Sequence, residues 1–110
     1  MKIHQLKALV VVADTGSLRA ASRLMELSPA AVTKAIRELE EEVGSVLVLR
    51  ETRGVTFTDA GRALLVHARL VVGQLKRAEE DMSRLAGQSH AVLRVGIASL
   101  FLWPLLRLRG

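Results

Sequence analysis

The stretch Ser17-Leu18-Arg19-Ala20-Ala21-Ser22-Arg23-Leu24-Met25-Glu26-Leu27-Ser28-Pro29-Ala30-Ala31-Val32-Thr33-Lys34-Ala35-Ile36-Arg37 decides how the rest of the chain is read. Ser17 is a residue type whose side-chain oxygen caps a helix N-terminus, and Leu18, Ala21, Leu24 and Met25 then fall on one helical face. This helix is short and stops near Glu26-Leu27. Ser28 offers a second cap, and Pro29 takes the first helical position, where its missing N–H costs no bond. The following helix places Val32, Ile36, Leu39 and Val43 on its buried face and closes at Gly44. Two short helices joined by a tight turn predict a helix-turn-helix over about residues 18–37.

That arrangement makes demands the residues can meet. Ala21 is small where the two helices would cross, and Leu18, Leu24, Val32 and Ile36 are apolar, as a rigid pair requires. The exposed face of the second helix carries Thr33, Lys34 and Arg37, with Ala30 near its start. Lysine and arginine donate to guanine acceptors in a DNA major groove, and a threonine offers both a hydroxyl and a methyl. The helix start at Ser28-Pro29 adds free N–H groups and the positive end of a dipole, which suit a phosphate. Lys34–Glu38 and Arg37–Glu41 also stand at the spacing of ordinary surface ion pairs, which is the plainer use of those charges. Four acids, Glu38, Glu40, Glu41 and Glu42, crowd the helix end, so only its first two turns suit an anionic partner.

Before this motif, Ile3, Leu6, Leu9, Val10 and Ala13 recur at helical spacing, predicting a helix over about residues 3–14 that stops at Gly16. After it the period changes. Val46-Leu47-Val48-Leu49 reads as a short strand, Glu51-Thr52-Arg53-Gly54 as a polar turn, and Val55-Thr56-Phe57 as the return strand. Arg50 and Arg53 flank this turn, where an arginine at the tip of a wing suits the focused negative potential of a minor groove. Thr58-Asp59 can cap the next and longest helix. Along it Leu64, Ala68, Val71, Leu75, Ala78, Met82 and Leu85 step by fours and threes, a heptad seam that calls for a partner helix. Gly87-Gln88-Ser89-His90 reads as the helix end and a linker, and residues 92–97 as a strand. The apolar tail Leu100-Phe101-Leu102-Trp103 is expected to be sticky. The fold class is therefore mainly α with a small β-hairpin: a winged helix-turn-helix followed by a long dimerisation helix.

Composition narrows the function classes. The chain has 110 residues, half of them hydrophobic, and no cysteine, which excludes disulfides and thiolate metal sites. The formal charge of +5 invites an anionic partner, but its distribution weakens that inference. Residues 1–58 hold eight basic and seven acidic side chains, whereas residues 91–110 hold three arginines and no acid. Placement of Lys34, Arg37, Arg50 and Arg53, rather than net charge, carries the case for nucleic acid. His4, His67 and His90 are scattered and no Gly-rich loop follows a strand, so neither a catalytic constellation nor a cofactor site is expected. The long helix mixes Arg69, Lys76 and Arg77 with Glu79, Glu80 and Asp81, unlike a membrane-surface helix. The apolar start interrupted by Asp14 lacks a cleavage site, and the run ending at Leu106 is broken by Pro104 and too short to span a bilayer, so a cytoplasmic location is expected. A coiled-coil interaction module without DNA readout is the rival reading, which would have no use for arginines around Gly54.

Residues 1–87 resemble the DNA-binding head and linker helix of LysR-type transcriptional regulators. The matching positions are Leu6, Gly16-Ser17-Leu18, Ala20-Ala21, Leu24, Leu27-Ser28, Ala31-Val32-Thr33-Lys34-Ala35-Ile36, Leu39-Glu40, Leu47, Arg50, Arg53-Gly54-Val55 and Thr58-Asp59-Ala60-Gly61. The resemblance implies a protein that dimerises through its linker helix, forms dimers or tetramers, and binds an interrupted inverted repeat in promoter DNA. It implies that Ser28, Pro29, Ala30, Thr33, Lys34 and Arg37 meet the major groove, that Arg50 also lies at the DNA, and that Arg53 enters the minor groove. Pro29-Ala30 stands where many relatives have Gln-Pro, so a frequent base-reading glutamine is absent, and Val48 replaces the phenylalanine of a usual Leu-Phe pair. The implied division is residues 1–58 as DNA-binding domain, 59–87 as linker helix and 88–110 as the start of an effector-binding domain. The small-molecule effector site expected in the family is then absent from this chain.

Overall fold

A computed structural model describes residues 1–95 of the chain. Among them run α1 (Ile3–Thr15), α2 (Leu18–Met25), α3 (Pro29–Val43), β1 (Val48–Glu51), β2 (Gly54–Phe57) and α4 (Asp59–Val95). The caps form as the residue types demand. Ser17 Oγ accepts from the Ala20 N–H at 3.2 Å, and Ser28 Oγ from the Ala31 N–H at 3.1 Å. Thr58 caps α4, its hydroxyl accepting from the Gly61 N–H at 3.0 Å. The turn between α2 and α3 is tightened at Glu26, which adopts a left-handed φ of 57° where a glycine would be less strained.

The described residues divide into two compact units, residues 1–74 and those from 75 onward. The first holds a core of Leu6, Leu9 and Val12 from α1, Ala21 from α2, Val32, Ile36 and Leu39 from α3, Leu47 before β1 and Ala68 of α4. Several expectations shift here. On α1 the buried stripe is Gln5, Leu6, Ala8, Leu9 and Val12, while Ile3 is exposed and Val10 and Ala13 are half-buried. Leu24, expected to hold the helix pair together, is 68% exposed; Leu18, Met25 and Ala21 make the α2 contact instead. Val43 is exposed because α3 ends at the rim of the core.

The hairpin is offset from its expected bounds. Val48 pairs with Phe57 and Glu51 with Gly54, so the turn is only Thr52-Arg53 and Val46-Leu47 precede the strand. Two backbone bonds anchor it: the Val55 N–H donates to Gly16 O at 3.1 Å, and the Thr58 N–H to Leu47 O at 3.1 Å. Both anchors require glycine. A Cβ on Gly54, already at φ 135°, would lie 2.4 Å from Gly16 O. One on Gly61 would lie 2.1 Å from Leu47 O and 3.0 Å from its carbonyl carbon.

Beyond Gln74 the second unit continues α4. The helix runs through Gly87 to Val95, so the linker expected at 87–90 and the strand expected from Val92 are helical over those residues. A lone glycine lowers helix propensity by about 1 kcal/mol without forbidding the conformation. The readings placed on residues 96–110 lie outside the described residues. No helix among the described residues is long and apolar enough to cross a membrane.

Gly61→Ala drives a β-carbon into a backbone carbonyl that already serves the hairpin anchor, so neither partner can yield cheaply. It is expected to destabilise the chain by about 2–4 kcal/mol, measured by urea unfolding, whereas the unobstructed Gly73→Ala within α4 should stabilise it by up to about 1 kcal/mol.

Candidate nucleic-acid interface

The exposed face of α3 and the adjoining strand β1 form one continuous surface. Ala30, Thr33, Lys34 and Arg37 project from α3 opposite its buried stripe of Val32, Ala35, Ile36 and Leu39. Ala30, Lys34 and Arg37 are exposed, and Thr33 is half-buried. A shallow cleft between α3 and the hairpin is floored by Leu18, Ile36, Val46 and Val48 and rimmed by Thr33, Arg37, Glu40 and Arg50.

The side chain of Arg50 leans away from the hairpin tip. Its backbone pairs with Val55, and its guanidinium donates through Nη2 to Thr33 Oγ1 at 2.5 Å. Arg53 alone of the two arginines occupies the two-residue tip, where it is exposed. Ser28 and Pro29 begin α3, with Ser28 Oγ committed to the helix cap.

The ion pairs that would have neutralised this surface do not form. Among the described residues the salt bridges are Met1 N-terminus–Glu42, Arg62–Asp59, Arg69–Asp14 and Arg84–Asp81. Lys34, Arg37, Arg50 and Arg53 are in none of them. The acids near the end of α3 are engaged elsewhere or set apart: Glu42 meets the chain's amino terminus at 2.5 Å, and Glu38, Glu41 and Glu42 line a separate depression with Lys2 and Gln5.

Glu40 has a role that charge counting missed. Its Oε2 accepts from the backbone N–H of Leu47 at 2.7 Å and of Val48 at 3.3 Å. The carboxylate thus ties α3 to the root of the hairpin and sets the position of Arg50 relative to Thr33. The signal was weakly legible: Glu40 sits at the edge of the buried stripe, not on the outer face with Lys34 and Arg37.

Along α4 the heptad positions part ways. Ala68 is fully buried in the core of the first unit and Leu64 packs against that core, so these two are taken up within the chain. Val71, Leu75, Met82 and Leu85 remain exposed, as does Ala78, and Val66 and Leu70 add large exposed apolar surface that the seven-residue repeat does not include.

A three-helix head with a two-stranded wing beside its helix-turn-helix defines a winged helix-turn-helix protein. Comparison places it more narrowly. Residues 3–62 match the bacterial regulatory helix-turn-helix proteins of the lysR family. The chain belongs to this family. It is 31% identical over 98 residues to the nitrogen assimilation regulatory protein nac of Klebsiella aerogenes, covering 89% of this chain and 32% of that protein. The chain therefore spans about a third of the length of such relatives. Among solved structures it resembles the DNA complex of the CbnR DNA-binding domain, with TM-score 0.68 and 36% identity over 79% of this chain and 99% of that one. It also resembles full-length LysG of Corynebacterium glutamicum with bound effector Arg, with TM-score 0.66 and 38% identity over 79% of this chain and 30% of that one.

Glu40→Ala leaves two backbone donors at the hairpin root without their acceptor. It is expected to cost about 1–3 kcal/mol in thermal or urea unfolding. Glu40→Gln retains an acceptor oxygen, and its loss should be less than half as large.

Proposed function

We propose that this chain is a sequence-specific, DNA-binding transcriptional regulator of the LysR type, acting on an interrupted inverted repeat as a homodimer or higher oligomer. The observation that carries this reading is the placement of Lys34 and Arg37 on the exposed face of α3, Arg50 against Thr33 and Arg53 at the hairpin tip, none of whose cations is neutralised by an acid among the described residues. In this reading residues 1–58 bind DNA. The start of α3 at Ser28, Pro29 and Ala30, with Thr33, Lys34 and Arg37, enters the major groove, and Arg53 reaches into the adjacent minor groove. Arg50 contributes charge at the phosphate backbone between them. The CbnR DNA-binding domain, solved in complex with DNA, supports the same use of this fold.

Self-association rests on α4. Val71, Leu75, Ala78, Met82 and Leu85 offer an exposed apolar stripe that a second copy would cover, and a two-fold dimer presents two heads to two half-sites. Leu64 and Ala68 take no part, being spent on the chain's own core. The protein is read as a cytoplasmic binding protein rather than an enzyme, in keeping with relatives named as regulators.

Selection of bound duplexes from a random pool tests this directly: a palindromic motif is expected, and a chain that dimerises yet enriches no motif would instead be an interaction module. Thr33→Ala is expected to relax preference at one position by roughly 1–3 kcal/mol, while Arg53→Ala weakens all sequences and lowers the salt slope by about 1. In sedimentation, Leu75→Asp should shift the dimer to monomer and lower operator affinity with it.

A further inference from the structure

Thr33 uses its hydroxyl differently from Thr15 and Ser22. Thr15 Oγ1 donates to the carbonyl of Val11 at 2.8 Å, and Ser22 Oγ to that of Arg19 at 2.7 Å, so each spends its proton on the preceding turn. Thr33 makes no such bond among the described residues; its oxygen instead accepts from Arg50 Nη2 at 2.5 Å. A guanidinium has donors only and never releases its proton at ordinary pH, so the direction of this bond is not reversible. With one lone pair held by Arg50, the hydroxyl keeps its proton and a second lone pair for other partners, and the half-exposed site opens both to whatever lies against α3.

The geometry points to Arg50 as a positioning residue that fixes the direction in which the Thr33 hydroxyl meets DNA and so restricts which base edge it can read. A free threonine hydroxyl rotates, so it can donate or accept in several directions and tolerates either kind of edge. With the hydroxyl held by Arg50, its proton and its remaining lone pair each keep one direction, so Thr33 pairs with purine N7, guanine O6 or thymine O4, or with an amino group, only where that atom lies on the matching axis. The same bond restrains rotation about the Thr33 side chain, which two arms of the fold prepare. Ile36 and Leu39 anchor α3 in the core, and the Glu40 carboxylate fixes the root of the strand that carries Arg50. Arg50 is then a determinant of specificity acting through Thr33, in addition to its charge. This rests on the reading of α3 as the groove-facing element.

The test is selection from a random duplex pool with the full 110-residue chain and three variants, Thr33→Val, Arg50→Met and the double variant, each checked by thermal melting. Thr33→Val should flatten one motif position from a preference of roughly 5- to 100-fold, the range of a well-made base contact, to near parity. Arg50→Met should flatten that same position by a comparable factor, and the double variant no further than Thr33→Val alone. If Arg50→Met weakens every sequence equally and leaves that position intact, Arg50 is only a phosphate contact and the positioning role is overturned. If the wild-type chain enriches no motif, the DNA-reading proposal falls first and this one with it. A readout in the free protein needs no DNA: three-bond couplings should show one Thr33 χ1 rotamer in the wild type and averaging in Arg50→Met. Averaging already in the wild type would overturn the proposal.

Discussion

Leu47 is the residue on which the interface face of this protein depends, because three of its groups are fixed by three different elements. Its side chain is fully buried against Leu39 and the rest of the core. Its N–H donates to the Glu40 carboxylate of α3, and its carbonyl accepts from the Thr58 N–H that opens α4, at 3.1 Å. Gly61 closes over that carbonyl with no room for a β-carbon. One residue thereby sets the position of α3, hairpin and α4 relative to one another, and the side chains of Arg50 and Thr33 meet only because that position is held. The apolar burial supplies the larger energy; the two backbone bonds supply direction.

The basic surface depends less on charge than on what is denied to it. Lys34 and Arg37 have acids one helical turn away at Glu38 and Glu41, and yet pair with neither. Surface pairs of that kind contribute only about 0.3–0.5 kcal/mol, so side-chain entropy readily dissolves them. A phosphate or guanine edge competes with nothing stronger than water at such residues. The net +5 of the whole chain, by contrast, has little to do with this surface, since residues 1–58, which carry the surface, are nearly neutral overall. Local arrangement outweighs total charge because screening confines exposed charges to neighbours within about 8–10 Å.

Much of the fold could be read from the residues. The caps at Ser17, Ser28 and Thr58, Pro29 at the first turn of α3 and the change of period after Gly44 all report local chemistry, and local chemistry is what a sequence displays. The misreadings of the core share one cause, that burial is a property of assembly. Leu24 has the residue type and spacing of a core position but faces solvent, whereas Gln5 is buried on the first helix. Ala68 satisfies a heptad repeat and is consumed by its own chain's core, while Val66 and Leu70, outside the repeat, stay exposed. The end of α4 was misplaced because a glycine followed by polar residues weakens a helix without stopping it.

By itself the sequence determined the order of elements, the helix-turn-helix, the wing and the residue types displayed on α3. Spacing, capping and turn chemistry act within a few residues, so they need no knowledge of the rest of the chain. Only the tertiary structure decided that Arg50 turns back to Thr33 while Arg53 takes the tip, and that Glu40 is a tie rather than a surface acid. Those outcomes join positions 17 and 7 residues apart through the packing of a helix against a hairpin, and no local rule specifies the angle at which the two meet.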